Sequence, residues 1–278
     1  MSAQVVEAGA NARRLVLPEV LPTVSIQSDA DRFRGARRVA FVASWAPDAR
    51  VSRSLARLVA ELEAGGYAVV LTRSSPGPLK WPDDVEVDPA VILKDNLGYD
   101  FGSWAVGMAL YPHLLEAEHV LVVNDSLVGP FASMQPLLRT FESAPAPVWG
   151  VTDTGEYWPH LQSYFMGFHG GVLAQPRLRE FWSSIEVLDD KDEIVERYEI
   201  GLSRVLAELG IAWTAWIDHE TIARSEQNPT LLGWYRLLEE GLPFVKRMLV
   251  THRLYFPYGR DVEIAVRARF GAELEEWL

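Results

Sequence analysis

A short polar triplet ends the apolar run VLVV. Asn124, Asp125 and Ser126 follow that run directly. A carboxylate at the end of a strand can bind a hard divalent cation whose other ligands are phosphate oxygens and water. Such a cation would neutralise a leaving diphosphate. The ordinary alternative is that the triplet caps a turn or the next helix, and the triplet alone favours that alternative.

A second polar segment, KDNLGYDFGSW at 94–104, lies between an expected strand and an expected helix. Its glycine Gly98 would let the backbone approach a ligand closely, while Asn96 and Asp100 could hydrogen-bond a ribose or a base. A tight turn would explain the same residues. The segment therefore indicates either a nucleotide pocket or a turn.

Two further segments carry residues suited to binding a sugar nucleotide. Lys246 and Arg247 lie in the basic stretch 242–253 and could grip a diphosphate, although a basic turn at a helix end is the alternative. His160 and Gln162 lie in HLQSYF, where polar planar side chains beside aromatic rings would suit a donor-sugar or acceptor site. Core packing explains the aromatic rings equally well.

Several function classes lack their markers. The chain has no cysteine and no G-x-x-x-x-G-K-[ST], G-x-G-x-x-G or G-x-S-x-G motif, and none of its six histidines forms an H-x-x-x-H pair. Thiolate metal sites, P-loop, dinucleotide and α/β-hydrolase functions are therefore not indicated. A metal-dependent phosphohydrolase would need a cluster of carboxylates or histidines that the sequence does not show.

Composition is that of a globular protein with an acidic surface. The 278 residues are 49% hydrophobic and carry a formal charge of −12, which disfavours nucleic acid and anionic lipid as partners. No stretch of about 18 apolar residues occurs, and the N-terminus lacks the order of a secretory signal. We expect a cytoplasmic protein.

Apolar runs and helical periodicities alternate along the chain. Strands are expected at 37–45, 67–72, 91–93, 120–123 and in PVWGVTD and IAWTAWID, with helices between them and a helix capped by Asp189 or Asp190. Residues 161–174 are expected to form part of a second sheet. The alternation predicts an α/β domain whose ligand binds at the carboxyl ends of a mostly parallel sheet. Residues 1–35 are expected to be a tail or loosely packed leader, and 36–278 one domain with a C-terminal helical segment.

The order of these segments resembles one protein family. KDNLGYDFGSW, VVNDSLVGPF, HLQSYFMGF, FW, RYEIGLSRVLAELG and LPFVKRML follow one another as in the rhamnan synthesis protein F family, over roughly residues 37–250. That resemblance implies a glycosyltransferase of bacterial rhamnose-containing polysaccharides. The family is in turn similar, more distantly, to inverting glycosyltransferases of GT-A type, so a GT-A-like nucleotide-sugar-binding domain is expected.

The resemblance also implies roles for single residues. Asn124, Asp125 and Ser126 stand where GT-A enzymes have an Asp-x-Asp-like motif, so Asp125 is the expected contact to Mg²⁺ or Mn²⁺, although only one carboxylate is present. Glu199 stands where inverting enzymes carry their catalytic base, and Asp153, after PVWGVT, is the second candidate.

The remaining expectations concern the ligands. Asn96, Gly98 and Asp100 would shape the nucleotide pocket with Ser44 and Arg73 at the ends of the first two strands. No organic cofactor is expected. The implied donor is dTDP-L-rhamnose, and the implied acceptor a surface glycan, lipid-linked and reached peripherally at the inner face of the membrane. The alternative is an inactive, transferase-like protein that binds glycan or acts as a scaffold.

Overall fold

The computed structural model describes residues 13–224 and 227–278. Its strands are β1 Ser25–Ser28, β2 Arg38–Trp45, β3 Ala68–Ser74, β4 Ala90–Leu93, β5 His119–Asn124, β6 Leu127–Val128, β7 Val148–Thr154, β8 His160–Leu161, β9 Phe165–His169, β10 Trp213–Ile217 and β11 Val245–Lys246.

The α-helices are α1 Val16–Val20, α2 Arg53–Ala64, α3 Tyr99–Leu110, α4 Gln135–Glu142, α5 Pro176–Ser183, α6 Lys191–Ile194, α7 Gly201–Glu208, α8 His219–Ile222, α9 Pro229–Leu232, α10 Trp234–Glu239, α11 Met248–Thr251 and α12 Phe256–Phe270. A π-helix, Val195–Ile200, joins α6 to α7. Short 3₁₀ turns occupy Leu21–Thr23, Ala30–Phe33, Pro112–Glu116, Val172–Ala174, Arg253–Tyr255 and Leu274–Trp277.

The central sheet has nine strands in the order β1-β4-β3-β2-β5-β9-β7-β10, with β8 added beside β7. β4, β3, β2 and β5 pair in parallel, as do β7 and β10, and β9 runs antiparallel between β5 and β7. Six strands therefore point the same way. The α/β class and the mostly parallel sheet are as predicted.

Both faces of the sheet are buried, which explains the continuous apolar runs of its strands. Along β2, Val39 and Phe41 pack into one core with α3, while Ala40 and Val42 pack into a second core with α2. Successive side chains of a strand point to opposite faces, so one apolar run serves both cores. Asp190 caps α6 by accepting hydrogen bonds from the backbone of residues 192 and 193, as one of the two predicted caps.

Residues 161–174 do not contribute to a second sheet, contrary to expectation. β9 lies inside the central sheet because Phe165 packs into the core shared with α2 and Phe168 into the core shared with α3. A side chain at Gly167 would overlap the ring of Phe141, so glycine is needed for that close packing.

The described part of the expected leader is instead packed against the sheet. Val16 and Val20 of α1 are fully buried, and β1 pairs antiparallel with β4. Residues 1–12 of that segment lie outside the described residues.

Beyond β10, four helices form a third core. β6 and β11 pair as a separate two-stranded ladder that contributes Val128 and Val245 to this core. Trp234, Leu249 and Val262 are among the buried residues that the helices contribute. Within the described ranges, no helix is both long and apolar enough to cross a membrane.

Candidate active site

The carboxyl ends of the parallel strands meet at one edge of the sheet, as they must when neighbouring strands point the same way. β2 ends at Ser44 and Trp45, β3 carries Arg73 near its end, and β5 ends at Asn124. Asp125 follows β5, and its backbone N–H donates to the carbonyl of Ala43 at 3.1 Å. The triplet thus lies at the rim of the sheet.

The triplet forms its own turn. The Oδ1 atom of Asn124 accepts from the backbone N–H of Ser126 at 3.1 Å and from its hydroxyl at 2.6 Å. This is the turn-forming behaviour expected of these residue types. It leaves the side chains of Asp125 and Ser126 at the rim.

The two-stranded ladder brings distant basic residues to this rim. β11 pairs with β6 so that Lys246 lies opposite Leu127, and the backbone N–H of Arg247 donates to the carbonyl of Ser126 at 2.8 Å. The Nζ atom of Lys246 is 3.0 Å from the Oγ atom of Ser126, and the Arg247 Nε atom is 3.3 Å from the Asp125 carbonyl. The predicted diphosphate residues and the triplet therefore share one site.

A chain of hydrogen bonds holds the carboxylate of Asp125. The hydroxyl of Ser44 donates to its Oδ2 atom at 2.6 Å, and the Nη1 atom of Arg73 donates to Ser44 at 2.8 Å. Arg73 is 2% exposed and also bonds the carbonyl of Arg50 at 2.5 Å. Burial raises the pKa of Asp125, and the hydrogen bond from Ser44 opposes the rise. Ser44 and Arg73 thus position Asp125 and the loop after β2.

Asp100 supplies a second carboxylate near the triplet. It lies in the first turn of α3, and its Oδ2 atom accepts from the Nδ2 atom of Asn124 at 2.8 Å. Burial raises the pKa of Asp100 to about 6, and the charge of Asp125 adds to the rise. The rim therefore carries two carboxylates although the triplet has one.

Glu199 lies on the π-helix and faces this site. Such local widenings of a helix are frequent at functional sites. Its Oε1 atom is 3.2 Å from the Nε2 atom of His160, and its Oε2 atom accepts from the backbone N–H of Ser163 at 2.9 Å and from the Ser163 hydroxyl. Burial alone would raise the pKa of Glu199, but the bonds from His160 and Ser163 outweigh it and lower the pKa. Glu199 is therefore held ionised and fixed in orientation.

Two cavities meet at this rim. The Glu199 cavity, of about 250 Å³, is lined by Asp100, Asn124, Ser126, Ser163, Lys191, Val195, Glu199, Lys246, Arg247 and neighbouring apolar residues. The arginine-lined cavity, of about 630 Å³, is lined by Trp45, Asp48, Arg50, Arg53, Arg73, Asp125, Ser126, Arg247 and residues of the C-terminus. Ser126 and Arg247 belong to both walls, so they form the divide between the two spaces.

Six of the expected site residues line neither cavity: Ser44, Asn96, Gly98, Asp153, His160 and Gln162. Asn96 is exposed, and Gly98 begins α3 with φ +78°, where a side chain would overlap Val16. His160 is buried behind Glu199, and Gln162 is buried with its Oε1 atom accepting from the hydroxyl of Thr152 at 2.7 Å.

Asp153, the second candidate for the base, lies apart from both cavities. Its Oδ1 atom accepts from the backbone N–H of His219 at 2.9 Å and lies 3.0 Å from the Nδ1 atom of that ring. Together with Asp218 these residues place potential ligand atoms within 4.8 Å of one another. Asp153 therefore belongs to the β7–α8 junction.

Sequence reasoning missed two residues of the site. Ser163, which donates twice to Glu199, stands inside HLQSYF but was hidden by its aromatic neighbours. Trp45 is 54% exposed at the end of an otherwise buried strand and lines the arginine-lined cavity. An exposed tryptophan ending a core strand is the signal that could have identified it.

The carboxylates at the rim fit a divalent cation. Mg²⁺ is commonly held by one or two carboxylates together with substrate phosphates. Asp100 and Asp125 are two half-buried carboxylates, and the charge of Asp125 adds to the rise in the pKa of Asp100 that burial causes. A cation bound near these carboxylates would relieve that repulsion.

Comparison with known proteins finds one family model and several relatives. A family model described as "Rhamnan synthesis protein F" matches residues 83–267, which include Asp100, the triplet, Glu199, Lys246 and Arg247. The virulence protein VirA of Vibrio anguillarum is 28% identical over 262 residues, covering 82% of this chain and 84% of VirA. A protein described as uncharacterized, y4gN of Sinorhizobium fredii, is 27% identical over 143 residues, covering 50% of this chain and 37% of that protein.

Proposed function

We propose, because the chain belongs to the rhamnan synthesis protein F family, that it is a glycosyltransferase that moves a sugar from a nucleotide donor onto a polysaccharide acceptor. The family name ties the chain to polysaccharide synthesis. The observation that carries the proposal is the meeting of the two cavities at Ser126 and Arg247. One cavity has arginines and an aromatic ring that suit a nucleotide diphosphate, and the other has carboxylates suited to a sugar and to proton transfer.

The arginine-lined cavity would hold the nucleotide part of the donor. Trp45 offers an aromatic face for a base, while Arg50 and Arg53 offer positive charge. The diphosphate would lie at the divide, against Arg247 and Lys246. The sugar would then project into the Glu199 cavity.

Inversion needs one base on the acceptor side. The acceptor hydroxyl oxygen would attack the anomeric carbon from the face opposite the diphosphate, and the carbon–oxygen bond to the diphosphate would break. Glu199 would accept the hydroxyl proton, and the departing diphosphate would keep the bonding electrons. Lys246 and Arg247 would stabilise the charge that develops on it. We therefore assign an inverting outcome within a GT-A-like nucleotide-sugar-binding domain.

A Mg²⁺ or Mn²⁺ ion, if the enzyme uses one, would be held by Asp125 and Asp100. Bound there, it would supply further neutralisation of the diphosphate. The Ser44 hydroxyl, 2.6 Å from the Oδ2 atom of Asp125, would keep Asp125 oriented for that role.

The donor we propose is dTDP-L-rhamnose, and the acceptor a growing surface glycan carried on a lipid. The reaction would take place in the cytoplasm, with the protein peripheral at the inner face of the cell membrane. These assignments are supported by the family name, whose polysaccharide is a rhamnan.

Calorimetric titration tests the proposal. Wild-type protein and the Asp125→Ala variant are titrated with dTDP, UDP, GDP and CMP, each with and without Mg²⁺ or Mn²⁺. We expect tight dTDP binding that depends on the metal and is lost in the variant. A folded protein that binds none of the nucleotides would overturn the proposal and favour the alternative, an inactive glycan-binding or scaffold protein.

A further inference from the structure

A third cavity lies on the other side of the π-helix. This Tyr157 cavity, of about 600 Å³, is lined by Tyr157, Asp190, Asp192, Glu193, Val195, Glu196, Ile200 and Arg204. Its volume lies within the range of about 300–1,000 Å³ that is typical of ligand pockets. Val195 also lines the Glu199 cavity, so the two spaces adjoin.

The loop between β7 and β8 carries two exposed aromatic rings beside this cavity. Tyr157 is 85% exposed and Trp158 is 48% exposed. Tyr157 is also one of the described non-glycine residues with a left-handed backbone, at φ +63°. The Arg204 guanidinium, which lines the cavity, lies 5.6 Å from the centroid of the Trp158 ring. The Tyr157 ring therefore lines the cavity, the Trp158 ring adjoins it through Arg204, and both rings are exposed enough to offer apolar surface to a ligand.

A short chain of contacts links this loop to Glu199. The backbone carbonyl of Trp158 lies 2.5 Å from the Nδ1 atom of His160, and the Nε2 atom of His160 lies 3.2 Å from Glu199. His160 itself is 2% exposed and reaches no open space. Tyr157 and Trp158, just before the HLQSYF segment, therefore supply the aromatic surface near the expected base.

The charges of the cavity select among ligands. Asp190, Asp192, Glu193 and Glu196 contribute four carboxylates, against the one guanidinium of Arg204. Carboxylates accept hydrogen bonds from sugar hydroxyls but repel a uronate, a phosphate or a sulfate. Aromatic faces suit the C–H surfaces of a sugar ring, so the lining matches an uncharged, hydroxyl-rich chain.

We propose that the Tyr157 cavity is the acceptor subsite and that it takes an uncharged oligosaccharide stacked on Tyr157 and Trp158. This inference rests on the proposed function for its role in transfer, since the terminal hydroxyl would have to reach Glu199 past Val195. Binding of the glycan itself requires neither donor nor metal, and it can be measured separately.

Ligand-observed NMR with the whole protein tests the inference. The probes are a rhamnose trisaccharide and trigalacturonate, an anionic trisaccharide, each without nucleotide. We expect the neutral probe to bind and the anionic probe to bind at least tenfold more weakly. The variant Tyr157→Asn removes the ring with a residue that tolerates a left-handed backbone, and Trp158→Ala removes the second ring. Each should weaken binding of the neutral probe by about tenfold, whereas Trp158→Phe should restore most of it.

A charge variant sharpens the test. Asp192→Asn combined with Glu196→Gln should let trigalacturonate bind, because two of the four carboxylates lose their charge. These two positions are chosen because Asp190 caps α6 and Glu193 pairs with Arg197 at 3.0 Å. Tyr235→Ala, which removes a 54% exposed ring on α10, should change neither probe.

The outcomes separate this inference from the proposed function. Absence of binding of the neutral probe, or binding by Tyr157→Asn and Trp158→Ala that equals that of the wild type, would overturn the inference even if the wild-type protein binds dTDP. Neutral-glycan binding that depends on both rings, without any nucleotide binding, would instead support the subsite and overturn the transferase.

Discussion

The two cavities that share Ser126 and Arg247 differ in how their charges are used. In the arginine-lined cavity, Arg73 is buried and donates hydrogen bonds to the hydroxyls of Ser44 and Ser75 and to the loop carbonyls of residues 48 and 50. In the Glu199 cavity, ionisable groups of opposite sign face one another. Burial lowers the pKa of Lys246, and the charges of Glu199 and Asp100 oppose that lowering. The first cavity places four arginines beside the carboxylates of Asp48, Asp125 and Glu276, whereas the second places the carboxylates of Asp100 and Glu199 beside Lys191, Lys246 and Arg247.

Under the proposed function, the first cavity binds the donor and the second carries out the chemistry. A braced, arginine-rich wall with an exposed aromatic ring suits a ligand that must be held, while a fixed carboxylate beside counter-charges suits a bond that must change. Variants in the first region should alter affinity, those in the second should alter turnover, and those at the divide should alter both.

The largest effect is expected from Glu199→Gln. Loss of a general base lowers turnover by roughly 10²–10⁴-fold, while affinity for dTDP should stay near that of the wild type because the arginine-lined cavity is untouched. Steady-state transfer to a rhamnose acceptor and calorimetry measure the two quantities. Glu240→Gln, which changes an exposed carboxylate that lines none of the three cavities, is the matched control. Turnover near the wild-type rate in Glu199→Gln would remove Glu199 from the role.

Arg247→Ala should weaken both functions, because Arg247 lines both cavities. A hydrogen bond to a charged group contributes about 1.5–3 kcal/mol, so dTDP affinity should fall roughly ten- to a hundredfold. Turnover should fall as well, since the leaving diphosphate loses a counter-charge. Arg253→Ala, at an exposed position six residues further on, should leave affinity unchanged. Equal affinities for Arg247→Ala and wild type would place the diphosphate elsewhere.

Asp100→Asn should stabilise the protein while weakening the metal site. The pKa of Asp100 is raised from 3.8 to about 6, so the folded protein binds a proton more tightly than the unfolded chain. The free energy of unfolding therefore falls as the pH rises from about 3.8 to about 6. The destabilisation caused by the charged Asp100 is fully present above that range. Replacement by Asn should raise the free energy of unfolding near pH 7.5 by about 1–3 kcal/mol, with a smaller gain near pH 5.

Urea denaturation at the two pH values measures this gain, and Asp83→Asn, an exposed position, is its control. A gain of the same size at both pH values would show that the charge of Asp100 is not the cause. Metal-dependent dTDP affinity should fall in the same variant, because one of the two rim carboxylates is lost.

The sequence predicted the parts of this site that depend on local pattern. A core strand ending in Asn124-Asp125-Ser126 could be placed at the rim because parallel strands share their carboxyl edge. The meeting of Lys246 with Ser126 could not be predicted, since the two residues are 120 positions apart and are joined by a ladder of two residues per strand. The same limit applies to residues 15–28, where a five-residue helix and a four-residue strand are too short to show periodicity.

The smallest effect is expected from Trp45→Ala, and it bears most directly on the difference between the cavities. Trp45 is 54% exposed, so its ring has surface available for stacking on a base. Stacking of a base on an aromatic side chain contributes about 1–3 kcal/mol, and partial exposure places this site at the lower end, so dTDP affinity should fall about fivefold. Turnover at saturating donor should hold, because no group of the Glu199 cavity changes.

Calorimetry of that variant with dTDP and with inorganic pyrophosphate distinguishes a loss of base binding from a loss of phosphate binding. Only dTDP should bind more weakly, and Trp45→Phe should recover most of the affinity, whereas Tyr235→Ala, an equally exposed ring outside both cavities, should behave as wild type. If pyrophosphate weakened as much as dTDP, Trp45 would act by shaping the loop that Arg73 braces. If turnover fell with unchanged affinity, the ring would belong to the chemistry, and the division of labour between the two cavities would be wrong.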